Sequence, residues 1–188
     1  MQAPGSYWEY NDVRINQLAL ALLHLFGMPL PQVFLEQVLQ PLGGGEGFAW
    51  RGYDEAWVDL PGVGRVQSVP GGTHWGAGVS ISAHDQARIG QLLLDGGVGA
   101  GRQLVPKDWL ERMVVPCPIA PFYGRLLWLN RNGLAFPGAS KRAVFMVGAG
   151  GHYVWVDPEF DAVVVLRWLD PAHAAAAIGH IATALAAR

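Results

Sequence analysis

Tyr10, Asp12 and His152 carry side chains of types that can exchange a proton or hold a polar group. Tyr10 and Asp12 stand at the entrance to an apolar helix. His152 follows the glycines Gly150 and Gly151 at the start of a strand-like run. A phenol and an imidazole both exchange protons, and the imidazole does so near neutral pH. Each residue also has a plainer reading. Asp12 sits where an N-cap belongs, Tyr10 suits turn or core packing, and a histidine that opens a strand is usually just partly exposed. The six histidines raise the question of a metal. His173 and His180 share one face of the last helix, and His74 and His84 lie across a loop. Neither pair gains a third ligand at metal-binding spacing, so no metal and no other cofactor is expected. The glycines of 62–78 lack the Gly-Lys-Ser/Thr sequence and the strand-to-helix context of a phosphate cradle.

These side chains are carried by elements that the local pattern marks out. Asn11 or Asp12 caps a helix running to about Phe26, which Gly27 ends. Its apolar residues Val13, Ile15, Leu18, Leu22 and Leu25 cover most of the circumference, which predicts a buried helix. Pro31 opens a second helix to about Gln40, closed by Pro41 and the glycines Gly43, Gly44 and Gly45. Residues 48–60 show alternation without helical period and read as short strands or extended loops. Ser82-Ala83-His84-Asp85 is a capping box, followed by Ile89, Leu92 and Leu93 on one helical face and stopped by Gly96-Gly97. Pro106 begins a short helix that Pro116 ends. Strands are predicted over 122–129, 142–147, 152–156 and 162–168, and an alanine-rich helix capped by Asp170 runs to the C-terminus. Connections this short impose antiparallel pairing, because a parallel pair needs a long crossover. The predicted fold class is α+β, an antiparallel sheet with flanking helices, in one domain over 1–188 with no interdomain linker.

Composition excludes several functions. The chain has 188 residues, 51% of them hydrophobic and only 15% charged, with a net charge of −2. Such a chain can build a core, and it lacks the basic surface of a nucleic-acid binder. The single cysteine, Cys117, excludes an internal disulfide framework. The longest nearly apolar run, 18–30, is interrupted by His24 and is too short to cross a bilayer, so no membrane partner is expected. No basic-then-apolar leader opens the sequence, which leaves the compartment open and cytoplasmic only if the chain is expressed as written. The 25 glycines and 8 tryptophans suit tight loops packed under large rings.

Four stretches in the same order resemble the serine beta-lactamase-like hydrolases, a group that includes class C beta-lactamases, penicillin-binding proteins, esterases and 6-aminohexanoate-dimer hydrolases. Pro4-Gly5-Ser6-Tyr7-Trp8-Glu9-Tyr10-Asn11-Asp12 is similar to the family's Pro-Gly then Tyr-x-Asn motif, with Asp12 in place of the final Asn. The others are residues 71–78 leading into 82–85, residues 101–109, and residues 148–159 beginning Gly148-Ala149-Gly150-Gly151-His152. The resemblance implies acyl transfer through a serine, with Tyr10 as the proton-relay phenol and Asp12 at the position that orients the lysine or the substrate amide. It also implies a small-molecule acyl substrate held beside Gly150, Gly151 and His152. Backbone N–H groups at a glycine-rich strand end can hold an oxyanion without any side chain.

The family pattern is incomplete here. Its nucleophile and base are written S-x-x-K, one helical turn apart on one face. Ser6, Ser68, Ser80, Ser82 and Ser140 are followed at the third position by Glu9, Gly71, Ala83, Asp85 and Ala143, so no serine has its lysine. No Lys-Thr-Gly or His-Thr-Gly occurs near residues 142–148. An Asp at position 12 would raise the pKa of a neighbouring lysine and make it a poorer base. The expectation is therefore the C-terminal portion of such a hydrolase, inactive alone, either a truncated product or one piece completed by an N-terminal fragment, with self-association expected at strand edges left unpaired. The alternative is a non-catalytic binding or assembly module that retains the fold.

Overall fold

The computed structural model describes residue 3, residues 5–70 and residues 78–187. Pro4 and the resembling stretch 71–77, His74 included, lie outside the described residues. The chain divides into two compact units, residues 9–85 and residues 1–8 with 86–188. The boundary near residue 85 falls inside a helix and not in a linker.

In the unit of residues 9–85, α1 spans Asp12–Phe26. Asn11 is its N-cap, its side chain accepting the Arg14 N–H at 3.0 Å, and Gly27 closes it in the left-handed conformation. Asp12 is thus the first-turn acid beside the positive end of the helix dipole, and Asn11 is the cap. The expectation that α1 is buried is corrected. Only Ala19 and Leu23 are buried, while Val13 is 60%, Leu25 77% and Phe26 54% exposed. Apolar residues surround this helix, but the core beside it is a narrow cluster of Ala19, Leu30 and Val69 with Leu22 and Trp50, which covers a single stripe. A short helix α2, Leu30–Phe34, continues through a wider turn at Leu35–Leu39 and a tight one at Gln40–Leu42. Two antiparallel pairs follow. β1 (Ala49–Trp50) joins β4 (Val79–Ser80), and β2 (Trp57–Leu60) joins β3 (Gly64–Gln67). α3, Ala83–Leu94, starts where the capping box predicts, with Ser82 Oγ accepting the Asp85 N–H at 3.0 Å. The Asp85 carboxylate is buried and accepts the Gly45 N–H at 3.1 Å, pinning the 43–45 loop.

The second unit is built on a four-stranded antiparallel sheet. After the small pair β5 (Val98–Gly99) and β6 (Arg102–Gln103) and helix α4 (Lys107–Met113) come β7 (Trp128–Leu129), β8 (Val144–Gly148), β9 (His152–Asp157) and β10 (Ala162–Leu166), then α5 (Pro171–Ala186). The sheet order is β10-β9-β8-β7, neighbours in sequence lying side by side as short connections require. Alternation sorts the side chains into two layers. Phe145 and Trp155, directly paired in the register, stack at 5.7 Å on the face that α5 covers with Ala174, Ile178 and Ala182. Val144, Val154 and Val156 line the opposite face with Leu127, Leu129, Met113 and Val114. Fully burying a side chain of this size contributes about 1.5–3 kcal/mol, which makes these two layers the main source of the unit's stability.

The strand predicted over 122–129 shrinks to Trp128–Leu129. Leu126 takes a positive φ of 61°, and the chain folds back so that Tyr123 bridges Trp128. The turn brings Trp8, Phe122, Tyr123 and Trp128 into one aromatic cluster, with Trp8 edge-on to Phe122 at 5.0 Å. The run still pairs with itself, the Leu129 N–H donating to the Phe122 carbonyl at 2.8 Å and the Gly124 N–H to the Leu127 carbonyl at 2.8 Å. The predicted α+β class, with an antiparallel sheet and flanking helices, is the observed one.

Candidate functional site

β8 and β9 meet in a hairpin whose last register pair is Gly148 with His152, leaving residues 149–151 as the connection. Gly148, Ala149 and Gly150 are exposed, and Gly151 is buried. Gly150 and Gly151 both have positive φ, 83° and 78°. The Gly151 carbonyl accepts the Leu169 N–H at 3.0 Å, so this glycine ties the hairpin to the chain that leaves β10. Its packing against Leu169 leaves no space for a side chain. The exposed backbone at Ala149 and Gly150 is the part of the connection that can offer N–H groups to a ligand, and Gly151 is the anchor behind it.

His152 opens β9 with its ring against Trp168, centroids 4.5 Å apart in an edge-to-face contact. Burial, and after it the positive charge of Arg167, push its pKa below the ordinary histidine value of 6.5. The ring is therefore neutral at pH 7. Its Nδ1 is buried and has no hydrogen-bond partner among the described residues, which leaves Nε2 as the nitrogen a ligand can use. Trp168 is 76% exposed and stands at φ 59°, past the end of β10. The sequence reading placed Trp168 inside a strand and missed it as a neighbour of His152. Nothing in the local pattern signals that the strand stops at Leu166; past it the chain turns at Trp168 and the Leu169 N–H meets the Gly151 carbonyl, a residue distant in sequence.

Tyr10 and Asp12 belong to the other compact unit. Tyr10 is 57% exposed and Asp12 half-buried, on either side of the capping Asn11. The five serines include none with a lysine at helical spacing. Those with a described side-chain bond are structural: Ser6 turns back on Ala3, Ser82 caps α3, and buried Ser140 accepts the Arg142 N–H. No group of three or more His, Cys, Asp or Glu side chains that could hold a metal ion occurs among the described residues. Among the described residues no single helix is long and apolar enough to cross a membrane.

A beta-lactamase family profile matches residues 1–183. The chain belongs to the beta-lactamase family. A 6-aminohexanoate-dimer hydrolase of Paenarthrobacter ureafaciens is 32% identical over 109 residues, which are 50% of this chain and 26% of that protein. Two solved structures share the fold. A Bacillus anthracis protein described as a 6-aminohexanoate-dimer hydrolase superposes on 100% of this chain and 46% of its own, with a TM-score of 0.68 and 21% identity. A beta-lactamase of Mycobacterium bovis superposes on 99% of this chain and 66% of its own, with a TM-score of 0.69 and 19% identity. This beta-lactamase-family chain thus spans less than half the length of both hydrolase relatives.

Proposed function

We propose that this chain is the C-terminal portion of a beta-lactamase-like serine hydrolase and that the 188-residue polypeptide by itself hydrolyses no acyl substrate. The observation that carries the reading is the missing pair: the family match runs over residues 1–183, yet no serine here is followed by a lysine at the third position. In the completed enzyme a serine Oγ supplied by another segment attacks the acyl carbon of an amide, lactam or ester. Its proton passes to the lysine–phenol pair, in which Tyr10 is the phenol, and the tetrahedral oxyanion is held by backbone N–H groups. Collapse of that intermediate expels the amine or alcohol, which takes a proton back, and water then hydrolyses the acyl-serine. Asp12 orients the lysine or the substrate amide. Gly150 and His152 stand on the substrate side, with Gly151 fixing the hairpin.

The test is turnover of nitrocefin and of p-nitrophenyl esters by the purified polypeptide, with a fluorophosphonate probe to trap any acyl-serine. The expected result is no turnover and no adduct. Turnover above background that disappears in Tyr10→Phe overturns the proposal.

A second reading, an assembly module without catalysis, is favoured by the exposed apolar side chains Val13, Leu18, Leu25 and Phe26 on α1. Scattered apolar residues are ordinary, but a run along one helix marks a contact surface. Leu18 and Leu25 lie seven residues apart on one face. On this reading size-exclusion chromatography shows oligomers that dissociate in Leu18→Glu/Leu25→Glu, and a monomer at all concentrations refutes it.

A further inference from the structure

The sheet face opposite α5 carries a cavity of about 170 Å³. Its apolar wall includes Met113 and Val114 at the end of α4 with Val144 and Val156, which pair across β8 and β9. Two cationic side chains, Arg131 and Arg142, line the same cavity, and no acidic side chain does. Arg131 is held in place, its Nη2 donating to the Val114 carbonyl at 2.8 Å. That bond uses one of the five guanidinium N–H donors and leaves the others for a ligand. Among the described residues neither arginine has a carboxylate within ion-pair distance.

This cavity is separate from the glycine hairpin. Val144 pairs with Val156 at one end of β8, and Gly148 pairs with His152 at the other. Four residues of strand separate them, about 13 Å at the usual rise. We propose that the cavity binds a short aliphatic monocarboxylate. The carboxylate lies at Arg131 and Arg142, where a planar guanidinium matches its two oxygens, and the tail rests on Val144, Val156 and Met113. At about 30 Å³ for each water-sized group the space holds about five or six of them. A five-carbon tail with its carboxylate at the rim fills it.

Hexanoate, hexan-1-ol and hexan-1-amine present one tail with three head groups, and acetate presents the head without the tail. Methyl-resolved NMR titration of the 188-residue protein reads their binding at Met113, Val144 and Val156. Hexanoate is expected to saturate in the millimolar range, with the alcohol weaker by about tenfold or more, as loss of a hydrogen bond to a charged group implies, and acetate weaker by at least about tenfold because it buries no tail. The amine should not bind. Arg142→Gln, at an exposed position, should weaken hexanoate about tenfold and leave the alcohol unchanged. The proposal is overturned if hexanoate produces no saturable shift at these methyls, if the alcohol binds as tightly, or if Arg142→Gln binds hexanoate as well as the parent protein.

Discussion

Alanine at Gly150 and alanine at Gly151 look equivalent in the sequence, and the structure makes them unequal. Both backbones sit at positive φ, 83° and 78°, where an L side chain costs about 1–2 kcal/mol. At Gly150 that is the whole cost, because a Cβ would meet only the His152 ring at 3.5 Å and Trp168 at 3.7 Å, ordinary contacts. At Gly151 a Cβ runs into the Leu169 carbonyl, so the hairpin or the 167–169 segment must move. Movement puts the bond from Leu169 N–H to the Gly151 carbonyl at risk, about 1 kcal/mol. Forcing atoms into a packed region adds about 1–3 kcal/mol. The sums are about 1–2 kcal/mol for Gly150→Ala and about 3–6 kcal/mol for Gly151→Ala. For a chain of this size each kcal/mol lowers Tm by about 2–4 °C. The expected losses are about 5 °C and about 10 °C or more, read by tryptophan fluorescence on heating. Equal losses, or a Gly151→Ala protein as stable as Gly150→Ala, would refute the assignment of Gly151 as the anchor and Gly150 as the open position.

Two other perturbations follow from the same sheet. Asp157 is fully buried, and its carboxylate accepts the Ser140 N–H at 2.9 Å, the Trp155 indole N–H at 3.0 Å and the Glu159 N–H at 3.1 Å. Asp157→Ala orphans three donors and should cost about 3–5 kcal/mol by urea unfolding, with Asp157→Asn in between; a loss within about 1 kcal/mol contradicts that role. His152 has a folded-state pKa below its unfolded value of 6.5, so the unfolded chain binds more protons as pH falls and stability drops below about pH 6.5. Urea midpoints at about pH 5.5 and about pH 7.5 should therefore differ less in His152→Gln than in the parent protein, and an unchanged difference removes His152 from the acid sensitivity.

Local chemistry in the sequence determined most of the frame. Asn11 and Gly27 bound α1, Ser82 starts α3, and Asp170 with Pro171 starts α5, because capping groups satisfy helix ends from within a few residues. The short connections between the runs at 142–147, 152–156 and 162–168 left antiparallel order as the only outcome. The Tyr10-Asn11-Asp12 and Gly148–His152 stretches carried the family resemblance, and the five serine positions showed that none has a lysine at the third position. Tertiary contact decided the rest. Whether apolar α1 is covered depends on what packs beside it, and a single stripe is all that the Ala19, Leu30 and Val69 cluster reaches. The 122–129 run turns back on itself at Leu126, where Tyr123 bridges Trp128 and the distant Trp8 packs on Phe122. Asp157 as the hub of three donors, Trp168 beside His152, and the arginine-rimmed cavity each join residues distant in sequence. Periodicity and capping act over a turn or two of chain, whereas such meetings are set by which surfaces pack, and a linear pattern holds no record of them.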